Sequence, residues 1–272
     1  MSILKYLAKF KRKGEKFMAK QTKGFCKYCG KEYTKSGMLK HLAACKKRKA
    51  KLEEEKIKTK SGYFQIVITG KYSKVYWLII EVNENVTLKK LDEFIRDIWV
   101  ECCGHLSLFE INGVEYERYP DENSFWGRPA KNMNYRLRDI VQVGDAINYE
   151  YDFGSTTELV LNIHSYRIGE RKGNPIVILS RNNPPEILCS QCETNKAKWI
   201  NPQGFWNGNP FLCEECCRKS LLEDDEMEYN EEITEDYDVS EFFSEICNSP
   251  RMGVCVYEGS SIYPDCFEPD EN

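Results

Sequence analysis

The sequence contains no apolar run of about 18 residues, so it offers no helix able to span a bilayer. Its opening stretch, MSILKYLAKFKRKGEKF, scatters Leu4, Tyr6, Leu7 and Phe10 among lysines. It has neither a continuous apolar segment nor a small-residue cleavage site, which excludes a secretion signal. There is no phosphate-binding loop, no dinucleotide fingerprint, no pair of carboxylates at a defensible spacing and no internal repeat. Histidine is scarce, with three in 272 residues: His41, His105 and His164. Hydrophobic residues make up 41% and charged residues 30%, which permits a true core over part of the chain but not all of it.

Cysteine, by contrast, is plentiful at thirteen. The pairs Cys26/Cys29, Cys189/Cys192 and Cys213/Cys216 are all C-x-x-C, a spacing that holds metal more often than disulfides in a reducing compartment. A cytoplasmic protein is therefore expected. The net charge of −4 hides a division. Residues 1–60 carry 20 Lys/Arg against 5 Asp/Glu, and the rest of the chain 19 against 38. That asymmetry reads as a basic arm for a polyanion ahead of an acidic body, or as a solvated lysine tail.

Six segments follow from composition. Residues 1–25 are a basic lead, 26–47 a Cys/His cluster and 48–60 a charged helical linker with i,i+4 Glu/Lys spacing. Residues 61–170 form the main domain, 171–220 a second cysteine cluster and 221–272 an acidic tail. Within the main domain, YFQIVITG and VYWLIIEV around KYSK read as a hairpin. Thr87 caps a helix with Leu88, Leu91, Phe94, Ile95 and Ile98 at helical spacing, ending near Trp99. LSLFEI and VEYERY flank the tight-turn pair Asn112-Gly113. A short helix at 137–141 precedes two more strands. The expected fold class is α+β: a β-grasp-like domain with a mostly antiparallel sheet and the main helix on one face, flanked by two small zinc-binding modules. KGEKF before Met18 resembles a translated ribosome-binding site, which points to Met18 as the start in a bacterial gene. N-terminal sequencing of native protein would find Met18 first; finding Met1 overturns this.

Two metal sites are expected, each taking one Zn²⁺. Cys189, Cys192, Cys213 and Cys216 give C-x2-C-x20-C-x2-C, four thiolates that close a tetrahedral shell and make the zinc structural. Cys217 competes with Cys216 for the fourth position. Trp199, Phe205 and Trp206 form either a small core over that metal or a stacking surface for bases. Cys26, Cys29, His41 and Cys45 give C-x2-C-x11-H-x3-C, with Tyr33 and Leu39 as a small apolar core. This resembles the CCHC-type variants of the zinc-finger family. The helix start, Lys35, Ser36, Gly37 and Met38, lacks the Arg, Asn or Gln that read bases. Lys35, Lys40, Lys46, Lys47, Arg48 and Lys49 are the candidate nucleic-acid contacts, suited to phosphates rather than to sequence.

VTLKKLDEFIRDIW, GHLSLFEI and INYEYDFGSTTELVLNIHSY resemble the plasmid pRiA4b ORF-3-like family, whose mobile-element members carry the label IS1096 element passenger TnpR. HLxxF and YxYDFG are the most specific phrases, and NSPRMGVCVY also looks like a companion of this domain. Relatives often continue after YDFG with Asp-Trp-x-His, where this chain has STTEL. The resemblance implies no assigned activity, and nothing in the chain supports a recombinase. No catalytic residues are assigned: Cys102, Cys103 and His105 lie close in sequence, but His105 and His164 read as structural and Asp152 as a turn former beside Gly154. The expected function is a zinc-binding, non-catalytic adaptor of mobile-element type. Residues 1–60 would contact nucleic acid, and the central domain or acidic tail a protein partner, with no membrane contact. The alternatives are a pure protein-interaction scaffold and an enzyme, hydrolase or nuclease.

Overall fold

The structure is a computed structural model describing residues 21–54, 60–120, 130–169, 173–201, 204, 210–222 and 238–270. The basic lead before Gln21, the expected start at Met18, Phe205, Trp206 and the most acidic stretch, 223–237, lie outside the described residues. Among the described residues, no helix is long and apolar enough to cross a membrane.

The centre is an eight-stranded sheet in the order β10-β4-β3-β9-β8-β5-β6-β7. Its strands are β3 (Ser61–Gly70), β4 (Trp77–Asn83), β5 (Ser107–Ile111), β6 (Val114–Glu117), β7 (Lys131–Asn132), β8 (Ala146–Tyr151), β9 (Thr157–Gly169) and β10 (Ile176–Arg181). Every pairing is antiparallel except β6 with β7. The α+β class with a mostly antiparallel sheet and flanking cysteine-rich modules is therefore the observed one. Asn112 and Gly113 both take positive φ, 51° and 78°, which suits the two-residue turn of the β5–β6 hairpin.

Helix α3 (Leu88–Ile95) starts where expected, with Thr87 Oγ1 accepting from Lys90 N at 3.3 Å. It passes directly into a π-turn, Arg96–Val100. Leu88, Leu91, Phe94, Ile95, Ile98 and Trp99 bury one sheet face, against Phe64, Ile66, Ile68, Leu78, Ile80 and Val82.

The other face of β3 and β4 is covered by the N-terminal finger. It consists of β1 (Lys23–Phe25), β2 (Glu32–Thr34), α1 (Lys35–Ala44) and α2 (Lys46–Glu54). Cys26, Tyr28, Met38 and Leu42 share a cluster with Val67, Trp77, Ile79 and Leu179. Burial on both faces is why YFQIVITG and VYWLIIEV read as continuous apolar runs, whereas β5 and β8 alternate. The contact is close: a Cβ on Gly24 would sit 2.0 Å from the carbonyl oxygen of Arg181. Lys27 N donates to Leu179 O at 3.0 Å, and Asn183 N to Lys23 O at 2.7 Å. The N-terminal module therefore flanks the sheet in direct contact with it.

The linker at 48–60 begins as helix α2, with 55–59 outside the described residues. Arg48 on this helix is buried and pairs with Glu81 on β4 at 2.7 Å, while Arg167 pairs with the same carboxylate at 2.6 Å. The described residues 238–270 of the segment expected as a tail also fold back. Strand β13 (Ser244–Glu245) pairs with β11 (Trp199–Ile200), which pairs with β12 (Phe211–Leu212). Cys247, Met252 and Tyr257 pack on Ile187, Ile200 and Phe211. No helical or strand period runs through this stretch, so composition marked it only as an acidic tail.

Glu81→Ala leaves Arg48 and Arg167 without their shared acceptor. Removing one partner from a buried ion pair costs about 3–5 kcal/mol, and the value here should fall near the lower end because Arg167 is partly exposed. Urea unfolding of the metal-loaded chain measures it; a loss below about 1 kcal/mol contradicts the assignment of Glu81 as the joint between finger and sheet.

Candidate metal centres

The finger's turn is made locally. Gly30 takes φ +67°, Gly30 N donates to Cys26 O at 2.9 Å, and Cys26 N donates to Lys31 O at 2.9 Å. This folds Cys26 and Cys29 toward one point. Thr34 caps α1 through Gly37 N, which aims His41 at the same point. A separation of four residues would place His41 and Cys45 on one face of a continuous helix. In the structure α1 stops at Ala44, and Cys45 is its extended C-cap, at the junction with α2. Cys29 Sγ lies 3.2 Å from His41 Nε2, and Tyr33 stacks on the imidazole at 4.5 Å between ring centres. The ligand atoms of Cys26, Cys29, His41 and Cys45 all lie within 4.8 Å of one another.

Burial pushes the Cys26 thiol up to about 12. Burial, with the Lys31 charge, holds His41 below its usual value. A neutral imidazole has a lone pair to give, and a buried thiol surrenders its proton to a metal more readily than to water. The donor set therefore fits a borderline-soft divalent ion.

The second centre is built differently. Cys189 and Cys192 sit on a turn closed by Glu193 N donating to Cys189 O at 2.9 Å, with Glu193 at φ 57°. Ser190 N donates to Phe211 O at 2.6 Å, which fixes this turn to β12. Cys213 follows β12, and Cys216 lies in the first turn of α5 (Glu214–Leu222); α4 is the short helix Leu137–Ile140. Cys192 Sγ is 3.9 Å from Cys213 Sγ, and Asn195 Nδ2 points at Cys213 Sγ from 3.8 Å. The Thr194 hydroxyl and the N–H groups of Asn195 and Thr194 donate to Cys192 and lower its pKa to about 6.

The sulfurs of Cys189, Cys192, Cys213 and Cys216 again lie within 4.8 Å of one another. Cys217 falls outside this grouping, and its thiol is pushed up to about 12 by burial in the apolar cluster with Trp199, Leu221 and Phe243. Trp199 lies in the small core over the site, its Nε1 donating to Glu214 Oε2 at 2.6 Å.

The structure also joins two stretches that sequence spacing leaves unconnected. Asp152, at φ 64°, accepts from Gly154 N at 3.0 Å and Ser155 N at 3.2 Å, the turn-forming role expected of it. It also takes an ion pair from fully buried Arg251 at 2.8 Å. Burial works against the Asp152 charge, but Arg251 and these two N–H groups hold its carboxyl below the usual value. YDFG and SPRMG thus clasp each other across 99 residues. Two guanidiniums approach the Tyr151 ring, Arg96 at 4.9 Å and Arg251 at 4.8 Å from its centre. Cys102, Cys103 and His105 form a third grouping with Cys255. Sequence reasoning missed Cys255 because no local spacing ties it to the other three.

Residues 63–189 match the family model described as Plasmid pRiA4b ORF-3-like protein. The matched region runs from β3 through β10 to Cys189. It includes Asp152 and His105 but not the finger, the rest of the second centre or Arg251. A solved structure of a protein of unknown function from Methanosarcina mazei Go1 is similar, at 20% identity and a TM-score of 0.36, covering 66% of this chain and 94% of that one. No curated protein matches the chain.

The candidate nucleic-acid contacts divide. Lys40, Lys46, Lys47 and Lys49 are exposed, and Lys35 is half-buried. Arg48 is buried, bound to Glu81 and to Leu42 O at 3.0 Å, so it does not face a phosphate. Met38, at the end of the base-reading stretch, is fully buried against the sheet.

Cys189→Ser and Cys26→Ser should each lower bound metal by one ion per chain. Cys26→Ser should also loosen the sheet, because the finger covers Val67, Trp77 and Ile79. Native mass spectrometry and thermal unfolding check both effects. An unchanged metal count in either variant removes that centre.

Proposed function

We propose that the protein is a zinc-binding, non-catalytic adaptor of mobile-element type that contacts nucleic acid through the lysine surface of its finger. Zinc is the metal inferred for the two predicted centres, because three thiolates with one imidazole, or four thiolates, are donor sets that it favours and that leave no position for water or substrate. The observation that carries the nucleic-acid reading is the way the finger is oriented. Met38 and Leu42 face the sheet while Lys40, Lys46, Lys47 and Lys49 face solvent across α1 and α2. With the base-reading end of α1 occupied by packing, contact would run through phosphates, with little sequence preference. The central sheet and the acidic stretch would remain for a protein partner.

Because the finger packs on the sheet, deleting it would expose apolar surface and confuse the result. Point variants in the full chain are cleaner. Binding of the zinc-loaded chain to duplex and single-stranded DNA and to RNA is measured at several salt concentrations. It is repeated for the chain carrying Lys40→Ala, Lys46→Ala, Lys47→Ala and Lys49→Ala together. Every lysine that pairs with a phosphate should, once replaced, flatten the slope of log affinity against log salt by about 0.9 on duplex DNA. Absence of binding at low salt, or a slope unchanged in the variant, rejects this reading in favour of a protein-docking scaffold.

A further inference from the structure

We propose a third zinc site, formed by Cys102, Cys103, His105 and Cys255, which fastens the C-terminal segment to the central sheet. It stands independently of the nucleic-acid reading.

Three of the four residues lie on one short connection. The π-turn ends at Val100, and β5 begins at Ser107. Between them, Gly104 at φ +72° bends the chain, with Gly104 N donating to Glu101 Oε1 at 2.6 Å. Tyr151 Oη accepts from Cys102 N at 3.4 Å and His105 N at 3.3 Å, so one hydroxyl holds both ends of the turn. The imidazole of His105 stands edge-on to the Tyr151 ring, 5.7 Å between centres. The fourth residue arrives from a compact coil, where Val254 N donates to Arg251 O at 2.9 Å and Tyr257 N to Val254 O at 3.1 Å.

The distances match a metal polyhedron. Cys103 Sγ is 3.7 Å from Cys255 Sγ, and Cys255 Sγ is 3.5 Å from His105 Nε2. All four ligand atoms lie within 4.8 Å of one another. Bonds of about 2.3 Å to sulfur and about 2.0 Å to nitrogen, at tetrahedral angles, give edges of about 3.8 Å and about 3.5 Å. A disulfide would require its sulfurs about 2.05 Å apart. Edges in the two predicted centres are 3.2 Å and 3.9 Å, so the third grouping has the same dimensions.

Two further observations support a ligand here. Cys255 and Val256 both adopt left-handed backbone, at φ 54° and 53°. A β-branched residue rarely does so, and Val256 is 76% exposed, so packing of its own side chain does not account for that conformation. Such backbone persists where its surroundings over-determine it, as a bond from the adjacent Cys255 sulfur would. Arg251, fully buried, also directs Nη2 at Cys102 Sγ from 3.3 Å while binding Asp152. A guanidinium N–H aimed at sulfur stabilises the thiolate and serves as an outer-shell partner.

Three thiolates and one imidazole complete four-coordination, so the role is structural. Cys103 and Cys255 are exposed, whereas the other two centres each bury at least two ligands. The third ion should therefore be the first to leave under a chelator.

The test is a metal count on untagged, reduced, zinc-saturated full chain, by native mass spectrometry. The expected result is three zinc ions per chain, two in the chain carrying Cys103→Ser and Cys255→Ser, and three in Cys266→Ser, whose exposed cysteine lies outside every grouping. Both substituted thiols of the double variant are at the surface, so the change removes no core packing. Thiol alkylation of the wild-type chain gives an answer that needs no variant. Cys103 and Cys255 should react far more slowly than Cys266 until chelator is added. Two zinc ions in the wild-type chain, an unchanged count in the double variant, or alkylation of Cys103 and Cys255 as fast as Cys266 would overturn the proposal. None of these results touches the predicted centres, which are counted through Cys26→Ser and Cys189→Ser.

Discussion

On β3 and β4, Ile66, Ile68, Leu78 and Ile80 point to one side while Val67, Trp77 and Ile79 point to the other, and both sides are closed to water. Helix α3 covers the first side, and the cysteine-rich finger covers the second. Removing either cover would expose a row of large apolar side chains, at roughly 25 cal/mol for each Å² returned to water. The rest of the arrangement depends on that double burial. It draws the finger onto the sheet, carries α2 with it, and makes room for one buried charge, Glu81, only because Arg48 and Arg167 reach it from opposite elements.

A second constraint holds the far end. Arg251 has no exposed surface, and burying a guanidinium without partners is costly. Its partners are Asp152 at 2.8 Å, Thr157 Oγ1 at 3.0 Å, Ser155 O at 3.2 Å, Cys102 Sγ at 3.3 Å and the face of Tyr151. All of them come from the sheet domain. The C-terminal segment therefore behaves as a closing strap rather than an appendage. The grouping of Cys255 with Cys102, Cys103 and His105 follows the same design, since it joins residues up to 153 positions apart. Small modules with thin apolar cores gain from such cross-links what a larger domain obtains from area alone.

Charge is distributed to match. Lysines of α1 and α2 gather on the outer surface of the finger, while the acidic excess lies elsewhere in the chain. Where an arginine in the basic stretch is needed for structure, as Arg48 is, it is withdrawn from that surface and paired.

Much of this was determined by the sequence alone. The periodicity of Leu88, Leu91, Phe94, Ile95 and Ile98, the Thr87 cap, the Asn112-Gly113 turn and the two C-x-x-C frameworks are local signals. Each depends on backbone preference or on ligand reach over a few residues, so six strands of the central sheet, the main helix and two Cys/His groupings able to hold a metal were legible, as was the turn role of Asp152. What tertiary structure decided was every contact between segments that share no period. The docking of the finger on the sheet, the assignment of β10 to the sheet, the burial of Arg48, the choice of Cys216 over Cys217 in the second grouping, the Arg251–Asp152 pair and the meeting of Cys255 with Cys102, Cys103 and His105 are of this kind. The physical reason is common to them all. A hydrogen bond or sulfur edge between residues 99 or 152 positions apart leaves no mark on local spacing, and forms only when burial of both sheet faces has fixed where the chain must return.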